Sequence, residues 1–177
     1  YPQPVNVAMY RYVSDGAIKY LSDVYYTSPA ADAGTSDLGR FAHHAHLAYQ
    51  QRPDTTASFR AGFAQVQGLR LVRVDVASKT FAGAVTSPRE LVRRYHLEYD
   101  QSAHASLLLS AQMGGRCAGP VEEGTDGLLP VTSCSRLPKQ TFEYQHVEGP
   151  NPALSDLQGL SFEKLNETVH QLPSGSS

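Results

Sequence analysis

The chain has 177 residues, 41% of them hydrophobic and 18% charged, with a formal net charge of −2, a size at which one domain buries most of its apolar surface without staples. The mildly acidic balance argues against nucleic-acid binding, which calls for a basic face, and no run of 18 or more apolar residues offers a membrane-spanning helix. Ten tyrosines without a tryptophan, among many Val, Thr and Ser, favour β-structure over helix.

Tyr1 rather than Met opens the chain, which is read as a processed product or a piece excised from a longer protein. Val5, Val7, Met9, Arg11 and Val13 then alternate with Asn6, Ala8, Tyr10 and Tyr12, and Ser14-Asp15-Gly16 supplies a turn. Residues 17–27 extend again with Ile18, Tyr20, Val24 and Tyr26 on one face, so the two runs predict a hairpin. A polar loop over 28–39 leads to a strand with His43, Ala45, Leu47 and Tyr49 on one side and His44, His46, Ala48 and Gln50 on the other. Pro53, which lacks a ladder donor, is expected to close that strand at 51–54.

Further strands are predicted at 69–76, 91–100, 106–113 and 140–147, with a connecting loop over 79–89. The sum is a mainly β domain over residues 1–149, an antiparallel meander of about eight strands forming a sheet, sandwich or shell segment. Residues 150–177 read as a tail. Leu154, Leu157, Leu160, Leu165, Val169 and Leu172 fall near helical spacing and predict a short C-terminal helix, before a flexible Ser-Gly-Ser-Ser end.

One pattern recurs. Leu47-Ala48-Tyr49-Gln50, Leu97-Glu98-Tyr99-Asp100 and Phe142-Glu143-Tyr144-Gln145 each place a bulky residue two positions before a tyrosine, on one face of a strand. Tyr49, Tyr99 and Tyr144 are therefore expected to be structural residues of a sheet. Cys117 and Cys134 flank a loop rich in Gly and Pro, flexible enough to bring them together. Closing its 16 residues is worth about 3 kcal/mol by loop entropy, and two free thiols are the other reading the residues leave open.

Candidates for chemistry are sparse. His44 and His46 share a strand face, and His-x-His can ligate a metal, but no acid or cysteine stands beside them in the sequence, so packed or solvated imidazoles and no metal are expected. Glu122, Glu123 and Asp126 read as a solvated turn inside the cysteine loop. No Gly-x-Ser-x-Gly elbow and no ordered glycines of a nucleotide fingerprint occur. Arg93, among Leu91, Tyr95 and Leu97, is read as edge-strand solubility rather than as a partner for a tyrosine ring. No catalytic residue or cofactor is assigned.

From 91 to 145 the residues become recognisable. Leu91-Val92-Arg93-Arg94-Tyr95-His96-Leu97-Glu98-Tyr99-Asp100, then Leu107-Leu108-Leu109-Ser110, the cysteine loop, and Leu137-Pro138-Lys139-Gln140-Thr141-Phe142-Glu143-Tyr144-Gln145 follow in order. This resembles bacterial SpvB-like proteins and the B component of insecticidal toxin complexes, relatives of the RHS/YD-repeat family. Ala45-His46-Leu47-Ala48-Tyr49-Gln50-Gln51-Arg52-Pro53-Asp54 is similar too, and the resemblance covers roughly residues 17 to 147. It departs in a longer loop between the cysteines and in a tail that leads into no propeller repeat.

The resemblance implies a non-enzymatic, secreted or cell-surface β-domain that forms part of a shell around a toxic cargo, with other domains or subunits of a toxin complex as partners. A secreted carbohydrate- or protein-binding module, with Tyr10, Tyr12, Tyr25 and Tyr26 as its platform, is the alternative. An enzyme is the third reading.

Overall fold

Period-two alternation extends most of the chain, and the computed structural model describes residues 7–28, 37–80, 87–100, 106–115 and 117–144. Within them seven strands follow one another: β1 (Ala8–Asp15), β2 (Ile18–Tyr26), β3 (His43–Ser58), β4 (Gln65–Ser78), β5 (Glu90–Tyr99), β6 (Leu108–Gly114) and the short β7 (Gln140–Thr141). They form one open sheet in sequence order, and each neighbouring pair is antiparallel. The mainly β antiparallel meander expected from the sequence is thus what folds. The tail over 150–177, its expected helix and the boundary at 149 lie outside the described residues.

The first hairpin turns on Gly16, whose φ of +57° suits a residue without Cβ, between the paired Asp15 and Ile18. A 3-10 turn, Leu38–Arg40, is capped by the Asp37 carboxylate accepting from the Gly39 amide at 2.9 Å. Two boundaries differ from the sequence reading. The strand expected to end at 51–54 runs on to Ser58, because the β3–β4 ladder lapses between Gln51 and Thr56. Pro53 therefore sits where no ladder donor is asked of it, flanked by an Arg52–Asp54 ion pair of 2.7 Å. The last strand keeps only Gln140 and Thr141 in the ladder instead of 140–147.

The two faces of the sheet differ in an unexpected way. Tyr25, His44, Asp75, Ala77, Arg94 and Ser110 lie on one face and are buried. Val24, Ala45, Leu47, Val74, Val76, Tyr95, Leu97 and Met113 lie on the other and are only half-buried. The polar face is closed by the cysteine loop. Leu129 of that loop packs on Ala77 and Leu91, with Cys117 and Val121 at the margin, and Cys117 and Cys134 are joined as a disulfide with Cα atoms 4.9 Å apart. The extra residue Val92 in β5 shifts the ladder between Val76 and Ala77, which brings Leu91 opposite Ala77 and into this small core rather than beside Arg93.

Candidate functional site

Charge collects between the polar face and the loop above it, in two groups. In the first, the β2–β3 register sets Asp23 opposite His46 and Tyr25 opposite His44. Asp23 Oδ1 then faces two imidazoles at once, His44 Nε2 at 3.0 Å and His46 Nδ1 at 2.8 Å. His44 Nδ1 meets Glu123 Oε1 at 2.7 Å, and Arg89 Nε donates to Glu123 Oε2 at 2.9 Å. Arg89 is itself tied down by the carbonyls of Leu38 and Phe41, at 3.0 and 2.8 Å. The Tyr25 ring stacks on His44 with centroids 4.0 Å apart and an interplanar angle of 7°, while the Arg89 guanidinium lies over the Tyr25 ring, 5.3 Å from its centroid. Burial pushes the Asp23 carboxyl up, but hydrogen bonds from Ser22, His46 and His44 outweigh it and hold the group below its ordinary value.

In the second group, Arg94 grips Asp75 with both ends of its fork, Nε to Oδ1 at 2.6 Å and Nη2 to Oδ2 at 3.0 Å. Its remaining nitrogen reaches up to the Pro130 carbonyl and the Thr132 hydroxyl of the cysteine loop. Arg73 adds a 3.1 Å bond to the same carboxylate. Every charge in this second group is spent on another charge or on the loop backbone.

Sequence reading placed His44 and His46 on one strand face, and the structure keeps them there. It missed both acids. Asp23 comes from the preceding strand, and Glu123, read as part of a solvated turn, is only 5% exposed and clamped between His44 and Arg89. The donor atoms of Asp23, His44 and His46 all lie within 4.8 Å of one another, so these three residues could hold a cation. Arg93 is exposed, and the arginines found over tyrosine rings among the described residues are Arg70 over Tyr99 and Arg89 over Tyr25.

The three patterned tyrosines share one job. Tyr49 Oη donates to the Leu21 carbonyl at 2.9 Å, Tyr99 Oη to Leu71 at 2.7 Å and Tyr144 Oη to Leu108 at 3.0 Å. Each acceptor sits on the strand before the tyrosine's own segment, immediately ahead of a residue left without a ladder partner: Ser22, Val72 and Leu109. A bulge frees a carbonyl from the ladder, and the tyrosine hydroxyl takes it up. Burial pushes the Tyr49 and Tyr99 hydroxyls above their ordinary pKa, so both stay protonated donors.

A sequence-ordered antiparallel meander of this form defines a class of β-domain seen in two kinds of solved structure. Superposed on the N-terminal domain of the effector protein SpvB from Salmonella typhimurium strain LT2, the chain gives a TM-score of 0.54 at 18% identity, over 64% of this chain and 48% of that one. The crystal structures of TcdB2-TccC3-Cdc42 and TcdB2-TccC3-TEV each give 0.54 at 20% identity, over 81% of this chain and 8% of theirs. The chain spans about half of the first and less than a tenth of the others. The likeness is one of fold, and it falls on the proteins that the ordered residues resemble. No family profile and no curated protein matches the chain. Among the described residues no helix is long and apolar enough to cross a membrane.

Proposed function

We propose that the chain is a non-catalytic structural β-domain of a secreted bacterial protein of the SpvB-like or toxin-complex kind, one stretch of wall in a shell around a toxic cargo. The observation that carries this reading is the tyrosine ladder and its unfinished edge. Tyr49 stands opposite Leu71 and Tyr99 opposite Leu108, each beside the bulge of the next strand. Tyr12 stands opposite Leu21 in the same way. Unlike the others it lies on β1, the edge strand among the described residues, and it is 58% exposed. A hydroxyl placed to cap a preceding strand is what a unit of a longer wall presents, and other domains or subunits of the complex supply that strand.

The polar groups support the same reading, because they brace rather than react. Ser22 Oγ donates to Asp23, not to an imidazole. Ser78 Oγ does meet His43 Nδ1 at 2.9 Å, but no carboxylate lies on that imidazole among the described residues, so the pair lacks the third group that orients a base. Cryo-electron microscopy of the full-length parent tests the proposal. The expected map shows a strand antiparallel to β1, its bulged carbonyl on Tyr12, within a wall that encloses a cavity. A β1 edge bare to solvent, with no enclosed volume, would overturn it.

A binding module remains the second reading, favoured by Tyr10, Tyr12 and Tyr26, which are 56%, 58% and 38% exposed. Tyr25, the fourth member of that platform, is buried under His44 at 3%. A glycan array with no hits counts against the module and leaves the wall standing.

A further inference from the structure

We propose that Asp23, His44 and His46 form a binding site for a divalent first-row transition cation, zinc foremost, which clamps β2 to β3 beneath the cysteine loop. The donors are one carboxylate oxygen and two imidazole nitrogens, Asp23 Oδ1, His44 Nε2 and His46 Nδ1, within 4.8 Å of one another. Two imidazoles and a carboxylate suit zinc and its neighbours, whereas calcium and magnesium ask for more oxygens. Ligands of a tetrahedral site with bonds near 2.0–2.1 Å stand about 3.3 Å apart. The carboxylate oxygen already lies 3.0 and 2.8 Å from the two nitrogens, and the three donor atoms stand within 4.8 Å of one another, so a cation seats once the two imidazoles draw in around it.

The surroundings of His44 point to a ligand independently. Its ring is 2% exposed, and its far nitrogen, Nδ1, is set 2.7 Å from Glu123. A carboxylate behind a histidine holds Nδ1–H as donor, so Nε2, which donates to Asp23 without a cation, is the nitrogen that ligates once its proton is lost, the arrangement that supports a ligating imidazole. Glu123 is held in turn by Arg89, and Tyr25 stacked on the ring fixes its plane. Ser22 Oγ binds the second oxygen of Asp23 at 2.6 Å and leaves Oδ1 for the cation.

Access is provided on the other side. Asp23 is 13% and His46 21% exposed, so the cation enters from solvent and keeps water in its remaining position. The lone pairs of His44 Nε2 and His46 Nδ1 form the two nitrogen bonds. Protons on those nitrogens leave to solvent, and no redox change is involved. A tethered pair of strands gains stability by mass action whenever the cation binds the folded state alone.

The test titrates the purified chain with Zn²⁺ and Co²⁺. The wild type is expected to bind one equivalent, to raise its Tm on adding Zn²⁺, and to show the visible bands of low-symmetry Co²⁺. His46→Ala, which removes a part-exposed ligand, is expected to fold with an unchanged circular-dichroism spectrum and to lose both responses. Glu123→Gln keeps the ligands but weakens their support, and its affinity should fall about 10–100-fold. Wild type that takes up neither cation at micromolar concentration, or His46→Ala that binds as tightly as wild type, would show the cluster to be an ion-pair brace and sink the proposal. Because the readout is binding to this chain, the wall role stands or falls separately.

Discussion

The two faces of this sheet are stabilised by different physics. Beneath the cysteine loop lie Asp75, Arg94 and His44, met by Glu123 of the loop itself, each side chain within a few per cent of full burial and each matched to a partner. On the opposite face lie Val24, Leu47, Val74, Val76 and Leu97, half in water. A sheet that folded only for itself would bury the aliphatic side, where each square ångström removed from water contributes about 25 cal/mol. Here the buried side is written in charge, which adds geometric definition more than net stability. The lesson is that the covered face fixes how the loop sits, while the aliphatic face stays half-buried among the described residues.

The largest effect should come from breaking a pair on the covered face. Asp75→Ala leaves the Arg94 guanidinium buried without its counter-charge, and should cost about 3–5 kcal/mol. Val74→Ala, one residue away on the open face and half-buried, should cost about 1 kcal/mol. Urea unfolding of both variants decides the matter, and equal losses would erase the distinction between the faces. Next comes the loop closure itself. Replacing Cys117 and Cys134 together by Ser should cost about 3 kcal/mol. Hydrogen exchange should then speed up at the Leu91 amide, which donates to Val121 of the loop at 2.8 Å.

The tyrosine ladder predicts smaller and graded losses. Tyr49→Phe and Tyr99→Phe each strand a half-buried bulge carbonyl and should cost about 1 kcal/mol. Tyr144 is 40% exposed, so water replaces its hydroxyl and Tyr144→Phe should cost less. A thermal series on the three single variants reads the order directly.

How much of this was written locally explains what the sequence disclosed. Strand positions rest on alternation within a few residues, so Ile18–Tyr26 and Glu90–Tyr99 could be read almost to their ends. The recurrence of Tyr49, Tyr99 and Tyr144 was legible for the same reason. Their shared acceptors were not, because a bulge at Ser22 or Val72 shows only when the facing strand is aligned. Pro53 misled because a proline stops a ladder only where a donor is due. The His44 cluster needed two long-range facts, the β2–β3 register and a glutamate 79 residues away. Nothing near Glu123 in the sequence marks it as buried.

The smallest effect concerns pH, and it belongs to the covered face alone. His96 pairs with Arg73 on one side and Gln112 on the other. Burial pushes its pKa below the ordinary value, and the nearby charges of Arg136, Arg94 and Arg73 push the same way, against a weaker opposing pull from Asp75. The folded state therefore takes up a proton later than the unfolded chain as the pH falls. Its contribution is fully present above the unfolded value near 6.5 and is lost progressively as the pH drops toward the folded one. His96→Gln should flatten the stability curve below about pH 6.5, with little change at pH 8. Subtracting the variant's urea-derived curve from that of the wild type isolates this one imidazole from the other titrating groups. A difference that rose toward low pH instead would mean that His96 is stabilised as a cation, and that the arginines around it do not set the potential of the covered face.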